Sequence, residues 1–436
     1  MGKQVAHVLV IPYPAQGHIN PVLAFAKRLA SNGLLVTVIT TTSVTKSAKV
    51  SLCASITIDN ISDGSEDVSE HETIEGYFKR FKAVVTQNLA KYIDAHKSYA
   101  CPAKVVVYDS SMPWILDIAH DRGLLGASFF TQSCGVCAIY YHLRQGTIKF
   151  PYKEDSDVSL PCLPALEAND LPSFFEVIDP KHTVMNLLAD QFLNLEKVLD
   201  WMKSRWPIKT IGPTFSLLNT DTNHSDNKIN HMINLFEPKS EACTKWLDSR
   251  ETSSVVYVSF GSIASLGKEQ MEELAHGLIT SNCHFLWVVR ASEKDKLPIN
   301  FASEKGLIID WCHQTDVLAH PALACFMTHC GWNSTLEALS NGVPIIAVPQ
   351  WVDQHTNAKF IEDVWRVGVR VRRCKNGIVG REEIAMCVEQ FVSGDDKGVE
   401  LKRNACRWKE LANEAVQNGG TSANNIEDFV TELLWS

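Results

Sequence analysis

The sequence lacks an excess of positive charge, an ordered cysteine framework, a long apolar run and any of the common phosphate-binding glycine loops. Its 436 residues carry 41 Lys and Arg against 50 Asp and Glu, a net charge of −9. Nucleic acid is therefore not an expected partner, because phosphate binding draws on a basic surface. Thirteen cysteines, odd in number and scattered, fit reduced thiols better than a disulfide framework. Cys134 and Cys137 make one CxxC. No second pair or histidine cluster accompanies it, so both read as small buried residues. No stretch is long and apolar enough to span a membrane. The opening "MGKQVAHVLVIPYPAQGH" has a short apolar run that breaks at Pro12, which reads as a first strand rather than a secretion signal. Gly2 is followed by Ala6 where a myristoylation pattern wants Ser or Thr. Asn60, Asn223 and Asn333 match the glycosylation pattern, but without a secretory signal the expected location is the cytoplasm. No GxGxxG with its downstream acid, no GxxxxGK[ST] and no HExxH occurs. These absences disfavour a dinucleotide oxidoreductase, a P-loop NTPase and a catalytic metal.

What is present is alternation. A chain of 436 residues suggests two domains of about 200 residues each. In the first half, "VAHVLVIP" reads as a strand and "NPVLAFAKRLASNG" as a helix capped by Asn20, with Pro21 in its first turn and Gly33 at its end. "LLVTVIT", "AKVVVYD" and "GASFF" are further strands, with "MPWILDIAHDRG" a helix between the last two. A polar run, "SLLNTDTNHSDNKINHM", reads as a linker. The same alternation then restarts with "SVVYVSFG", "KEQMEELAHGLITSN", "HFLWVVR" and "GLIIDW". Strands separated by helices imply an α/β chain of two doubly wound parallel sheets facing a cleft. The expected division is 1–213, a linker 214–240, 241–418 and a terminal helix 419–436.

Ligands bind outside the carboxyl ends of the strands in such sheets. His18 follows the first strand, Asp109 ends "KVVVYD" and Thr131 follows "SFF". Ser262, Trp311 and His329 occupy the corresponding edge in the second half. "THCGWNSTLEALSNGVP" then places His329, Cys330, Gly331, Trp332 and Asn333 on a strand-to-helix turn, with Asn333 or Ser334 as the cap. A helix start of this kind favours an anion.

His18 and Asp109 can form a proton-accepting dyad. A turn histidine and a helix-capping aspartate explain them equally well. Ser262 can hold an anion or simply make a tight turn. Trp311 can stack on a flat base, Gln314 can read its edge, and Glu337 can bind a ribose diol. Glu337 lies one helical turn past Asn333 and Ser334, on the same face. Asp353 and Gln354 in "PQWVDQ" can bond sugar hydroxyls. Each alone is ordinary; together they suit base, ribose, diphosphate and sugar in order.

The 44-residue segment from Trp311 to Gln354 resembles the signature box of plant family 1 UDP-glycosyltransferases. "GHINP", "YDSSMPW" and "FGS" resemble the same family. The resemblance implies the GT-B fold, with the donor held mainly by the second domain and the acceptor mainly by the first. "NIEDFVTELLW" is then the helix that crosses back to the first domain. It also implies His18 as catalytic base with Asp109 as its partner. Trp311 would stack on uracil beside Cys312 and Gln314, and Glu337 would bind the ribose. Ser262, His329, Asn333 and Ser334 would hold the diphosphate, while Thr131, Trp332, Asp353 and Gln354 would contact the sugar. A terminal Gln in the box goes with glucose. The implied reaction is an inverting, metal-independent transfer from UDP-glucose to a small lipophilic acceptor, by a monomer without integral membrane association. "FFTQSC", "IYYH" and "ISDG" resemble enzymes acting on carboxylic acids, terpenoids and steroids. The acceptor pocket is expected around Phe78, Cys134 to His142 and Phe174 to Met185. His313 departs from the family's usual Pro, and a strand-bearing segment expected between Leu193 and Val198 is missing. The alternatives are a UDP-sugar epimerase or hydrolase, and a binding protein that has lost catalysis.

Overall fold

The computed structural model describes residues 6–47, 56–67, 72–148, 158–161, 163–173, 188, 190–192, 208–214, 240–299, 301 and 303–435. Residues 215–239 of the expected linker, the Phe174–Met185 part of the acceptor pocket and the Leu193–Val198 region lie outside these residues.

Short apolar runs make the strands. β1 (His7–Ile11), β2 (Leu35–Thr41), β3 (Ile56–Ile61), β4 (Ala103–Asp109) and β5 (Leu125–Phe129) form one sheet in the order β3-β2-β1-β4-β5. β6 (Val255–Ser259), β7 (His284–Val288), β8 (Gly306–Ile309), β9 (Leu323–Thr328), β10 (Ile345–Ala347) and β11 (Gly368–Arg370) form the second, in the order β11-β10-β9-β6-β7-β8. Every pairing is parallel. β1 is buried throughout because helices cover both sheet faces. Val8 and Val10 join one core and Leu9 and Ile11 the other, the two-residue period of a strand. Val255 and Tyr257 separate from Val256 and Val258 in the same way. The two sheets share one winding, each reversing beside its first strand.

The last helix, Thr421–Trp435, packs Ile426, Val430 and Leu433 into the core that holds Val8, Val10 and Val22. Asn425 Nδ2 donates to the Thr210 carbonyl at 2.8 Å, and Lys209 pairs with Asp428 at 2.9 Å. A second tie joins the halves near the cleft. Asp170, only 3% exposed, meets Arg370 at 2.7 Å and Lys359 at 3.2 Å, and its carbonyl accepts from Thr356 Oγ1 at 2.7 Å.

Three local expectations need correction. The first helix runs Gln16–Ser31 with Ala15 as N-cap. Asn20 therefore caps nothing, and Pro21 lies inside the helix rather than in its first turn. The segment "PAQG" enters helix early because backbone N–H groups of His18 and Ile19 both reach the Ala15 carbonyl at 2.9 Å. The helix Trp332–Asn341 is capped by Gly331, which has no side chain to offer. Asn333 and Ser334 are thus helical residues, not caps. Cys137 is buried but Cys134 is exposed, since it opens the helix Cys134–Arg144 on the outward side.

Candidate active site

β1 and β4 are neighbours in the first sheet, and β6 and β9 in the second. These are the points where the winding reverses, and there the covering helices diverge and leave a crevice. His18 and Asp109 occupy the first crevice; Ser262 and His329 border the second.

His18 sits in the first turn of its helix, with its side chain 29% exposed. Its Nδ1 lies 2.7 Å from Asp109 Oδ2 and 3.1 Å from Thr131 Oγ1. Asp109 ends β4 with no exposed surface, and its Oδ1 accepts the Ser111 backbone N–H at 2.9 Å. Burial alone would lower the His18 pKa. The Asp109 charge and hydrogen bond, aided by the Asp353 charge, outweigh it and hold the imidazole above its ordinary 6.5. Nδ1 is thereby committed to Asp109, so Nε2 is the nitrogen available to receive a proton. Thr131, which the resemblance puts at the sugar, lies on this dyad.

In the second half, the His329 ring is clamped by two glycines. A Cβ on Gly261 would meet its Cε1 at 2.7 Å, and one on Gly331 would meet its Nε2 at 2.5 Å. Gly261 also holds a φ of +73°, a conformation costly to other residues. Burial pulls the His329 pKa down to about 4, against a hydrogen bond to the Ser259 backbone. The ring is neutral at pH 7 and offers a hydrogen bond without a charge. Arg290, which sequence reasoning missed, donates to the carbonyls of Ser262 and Ala264 and fixes that loop. It ends "FLWVVR", so the strand-end rule that selected the other residues would have found it. With Gly331 as cap, the first-turn amides of Trp332, Asn333 and Ser334 receive no hydrogen bond from a capping side chain among the described residues. Unsatisfied amides at a positive dipole end attract an anion.

Farther along the same helix, Gln314 Nε2 bonds Ser334 Oγ at 2.9 Å and Glu337 Oε2 at 2.8 Å. Burial raises the Glu337 pKa to about 7 against that bond. Tyr257, fully buried and also missed, approaches Gln314 Oε1 and Cys312 Sγ at 3.4 Å each. Trp311 packs at the edge of this core, and Cys312 lies buried within it. Nothing in the spacing of Tyr257 signalled this role.

The Trp332 indole leans on Trp365, 6.2 Å between ring centroids. Gln354 Oε1 accepts the backbone N–H groups of Gln350 and Trp351 at 2.8 and 3.1 Å, so its amide nitrogen is the end left to act as a donor. Asp353 Oδ2 accepts from Asn357 Nδ2 at 2.8 Å. Burial pushes Asp353 up to about 6, against the Asn357 bond and the nearby His18. His18 and Asp353 act on each other electrostatically although they belong to different sheets. The cleft therefore brings the His18–Asp109 pair, the start of the helix Trp332–Asn341, and Asp353 and Gln354 together.

Two Rossmann-like sheets of one winding, joined in this way across a cleft, define the GT-B fold. Residues 223–395 match the family described as UDP-glucoronosyl and UDP-glucosyl transferase, and residues 3–62 match the glycosyltransferase N-terminal domain. UDP glycosyltransferase 9 of Catharanthus roseus is 51% identical over 465 residues, covering 99% of this chain and 97% of that protein. Mogroside I-E synthase of Siraitia grosvenorii is 46% identical, with 99% and 98% covered. The structure of Os79 from O. sativa in complex with UDP has a TM-score of 0.86 and 34% identity, covering 98% of this chain and all of that one; another of its structures contains a trichothecene. The chain belongs to the plant family 1 UDP-glycosyltransferases. The 465-residue alignment exceeds this chain's length by 29, so the relative carries stretches that this chain does not.

Proposed function

We propose that the protein transfers glucose from UDP-glucose, with inversion and without a metal, to a hydroxyl or carboxyl oxygen of a small lipophilic plant metabolite. The observation that carries this reading is the His18–Asp109 dyad at 2.7 Å, set across the cleft from an uncapped helix mouth.

In one displacement, the acceptor oxygen attacks the anomeric carbon and its proton passes to His18 Nε2. The bond from that carbon to the diphosphate oxygen breaks, and UDP leaves. The developing charge meets the amides of Trp332, Asn333 and Ser334, the neutral His329 ring and the Ser262 loop. Trp311 stacks on uracil beside Cys312 and Gln314, and Glu337 takes the ribose. Thr131, Trp332, Asp353 and Gln354 orient the glucose. A carboxylate acceptor needs no base, and His18 then only positions it. Mogroside I-E synthase by its name, and Os79 by its trichothecene complex, support a bulky lipophilic acceptor such as a terpenoid or steroid. The protein would act in the cytoplasm as a monomer.

The test is acceptor-dependent UDP release, in EDTA, with UDP-glucose, UDP-galactose and UDP-glucuronic acid against a terpenoid alcohol, a steroid and a phenolic acid. Release with UDP-glucose and a gain of one hexose supports the reading. UDP binding without any release would favour a binding protein that has lost catalysis, and UDP-glucose consumption without an acceptor a hydrolase.

A further inference from the structure

Helix Gln16–Ser31 contains Pro21. A proline has no N–H, so it cannot supply the bond that residue i normally makes to the carbonyl of residue i−4, here Gly17, and its ring crowds that carbonyl outward. The Gly17 carbonyl instead accepts Asn333 Nδ2 at 2.6 Å, across 316 residues of sequence. Gly17 is the residue immediately before His18, and Asn333 lies in the first turn of the helix whose amides face the cleft. A Cβ on Gly17 would come within 3.8 Å of Asn333 Nδ2, so the two segments are in close contact.

We propose that Pro21 is a positioning residue: it leaves the Gly17 carbonyl free to latch onto Asn333, and the latch sets His18 in register with the donor's anomeric carbon. This rests on His18 being the base, as argued above. The Gly17 carbonyl can accept two hydrogen bonds, but an intrahelical bond would draw it onto the helix axis, whereas the proline leaves it turned outward toward Asn333. The cost of an interior proline is thus retained for alignment rather than for helix stability. A misplacement of the base by an ångström is enough to lower the rate of a positioned proton transfer strongly.

The test is Pro21→Ala, alone and combined with Asn333→Ala. Alanine returns an N–H to Gly17 and strengthens the helix. The expected result is a higher Tm together with a kcat lowered about fivefold, while Kd for UDP stays at the wild-type value. Asn333→Ala is expected to lower Tm less in the Pro21→Ala background than in the wild type, because the contact is already weakened. That thermal cycle reports the latch whether or not His18 is the base, and kcat reports what the latch does. Additive Tm changes would overturn the contact. Non-additive Tm changes with wild-type kcat in Pro21→Ala would overturn its positioning role. Loss of His18 dependence in a separate His18→Ala assay would sink the proposed function instead. If Pro21→Ala is poorly folded, Pro21→Ser, which also returns the N–H while leaving the helix mouth untouched, must reproduce the fall in kcat.

Discussion

Replacing Asp109 by Asn tests the dyad with almost no change of shape. Asp109 is fully buried and divides its two oxygens between His18 Nδ1 at 2.7 Å and the Ser111 N–H at 2.9 Å. An asparagine has one oxygen for these two donors. If its oxygen faces Ser111, its NH2 faces Nδ1, which must then accept. The ring proton moves to Nε2, the atom that has to receive the acceptor's proton. The opposite orientation sets NH2 against the Ser111 N–H and leaves that buried donor unpaired, at about 1–3 kcal/mol. The orientation that inverts the tautomer is therefore preferred. A positioned base contributes about 10²–10⁴ in rate, so kcat with a hydroxyl acceptor should fall by about that factor. The pH profile should move as well. In the wild type the acid limb is expected on the high side of an ordinary histidine's, because Asp109 raises His18 against burial. With Asp109 neutral, burial dominates and the limb shifts to lower pH. UDP affinity, which belongs to the other sheet, should not change. Steady-state kinetics across pH, with UDP titration alongside, decide the matter. A kcat within about threefold of wild type, with the acid limb in place, would rule out Asp109 as the group that orients His18.

Other consequences follow from single contacts. Gly261→Ala combines a φ of +73° with a Cβ 2.7 Å from the His329 ring; it should cost about 1–2 kcal/mol in thermal unfolding and weaken UDP binding. Gly33→Ala, at +84° but with open space around it, should cost stability alone. Asp170→Ala strips Arg370 and Lys359 of a carboxylate whose side chain is only 4% exposed, and urea unfolding should show a loss of about 3–5 kcal/mol. Glu337 is neutral below about 7 because burial raises it, and a ribose diol donates better to a carboxylate than to the acid. UDP binding measured calorimetrically should therefore strengthen as pH rises through 7, and the dependence should vanish in Glu337→Gln; a flat wild-type profile would contradict this.

Much of this architecture was legible because strand and helix periods differ. Continuous apolar runs such as "HVLVI" and "VVYVS" became the buried strands β1 and β6, and Gly342 ends its helix in the left-handed conformation at φ +69°, as its place after "STLEALSN" suggested. The strand-end rule brought His18 to Asp109 and put His329 beside the Ser262 loop. Helix starts were less legible. Ala15 and Gly331 carry no side-chain acceptor, so nothing in their chemistry marks them as caps, and nearby Asn residues attracted the assignment instead. Exposure of Cys134 depended on which side of its helix faced outward, which one turn of sequence does not specify. The Tyr257–Gln314 contact and the Asn333–Gly17 bond join residues 57 and 316 positions apart. No local period encodes such pairs, and only the packed chain reveals them.

The mechanism proposed for His18 is a single displacement on UDP-glucose. Its most direct test compares wild type with His18→Ala, using UDP-glucose and a hydroxyl acceptor in EDTA, with the product's anomeric configuration read by NMR. Inversion requires a β-glucoside from the α-linked donor, formed by the wild type and lowered about 10²-fold or more in the variant. An α-glucoside, or a variant that retains most of its kcat, would contradict it.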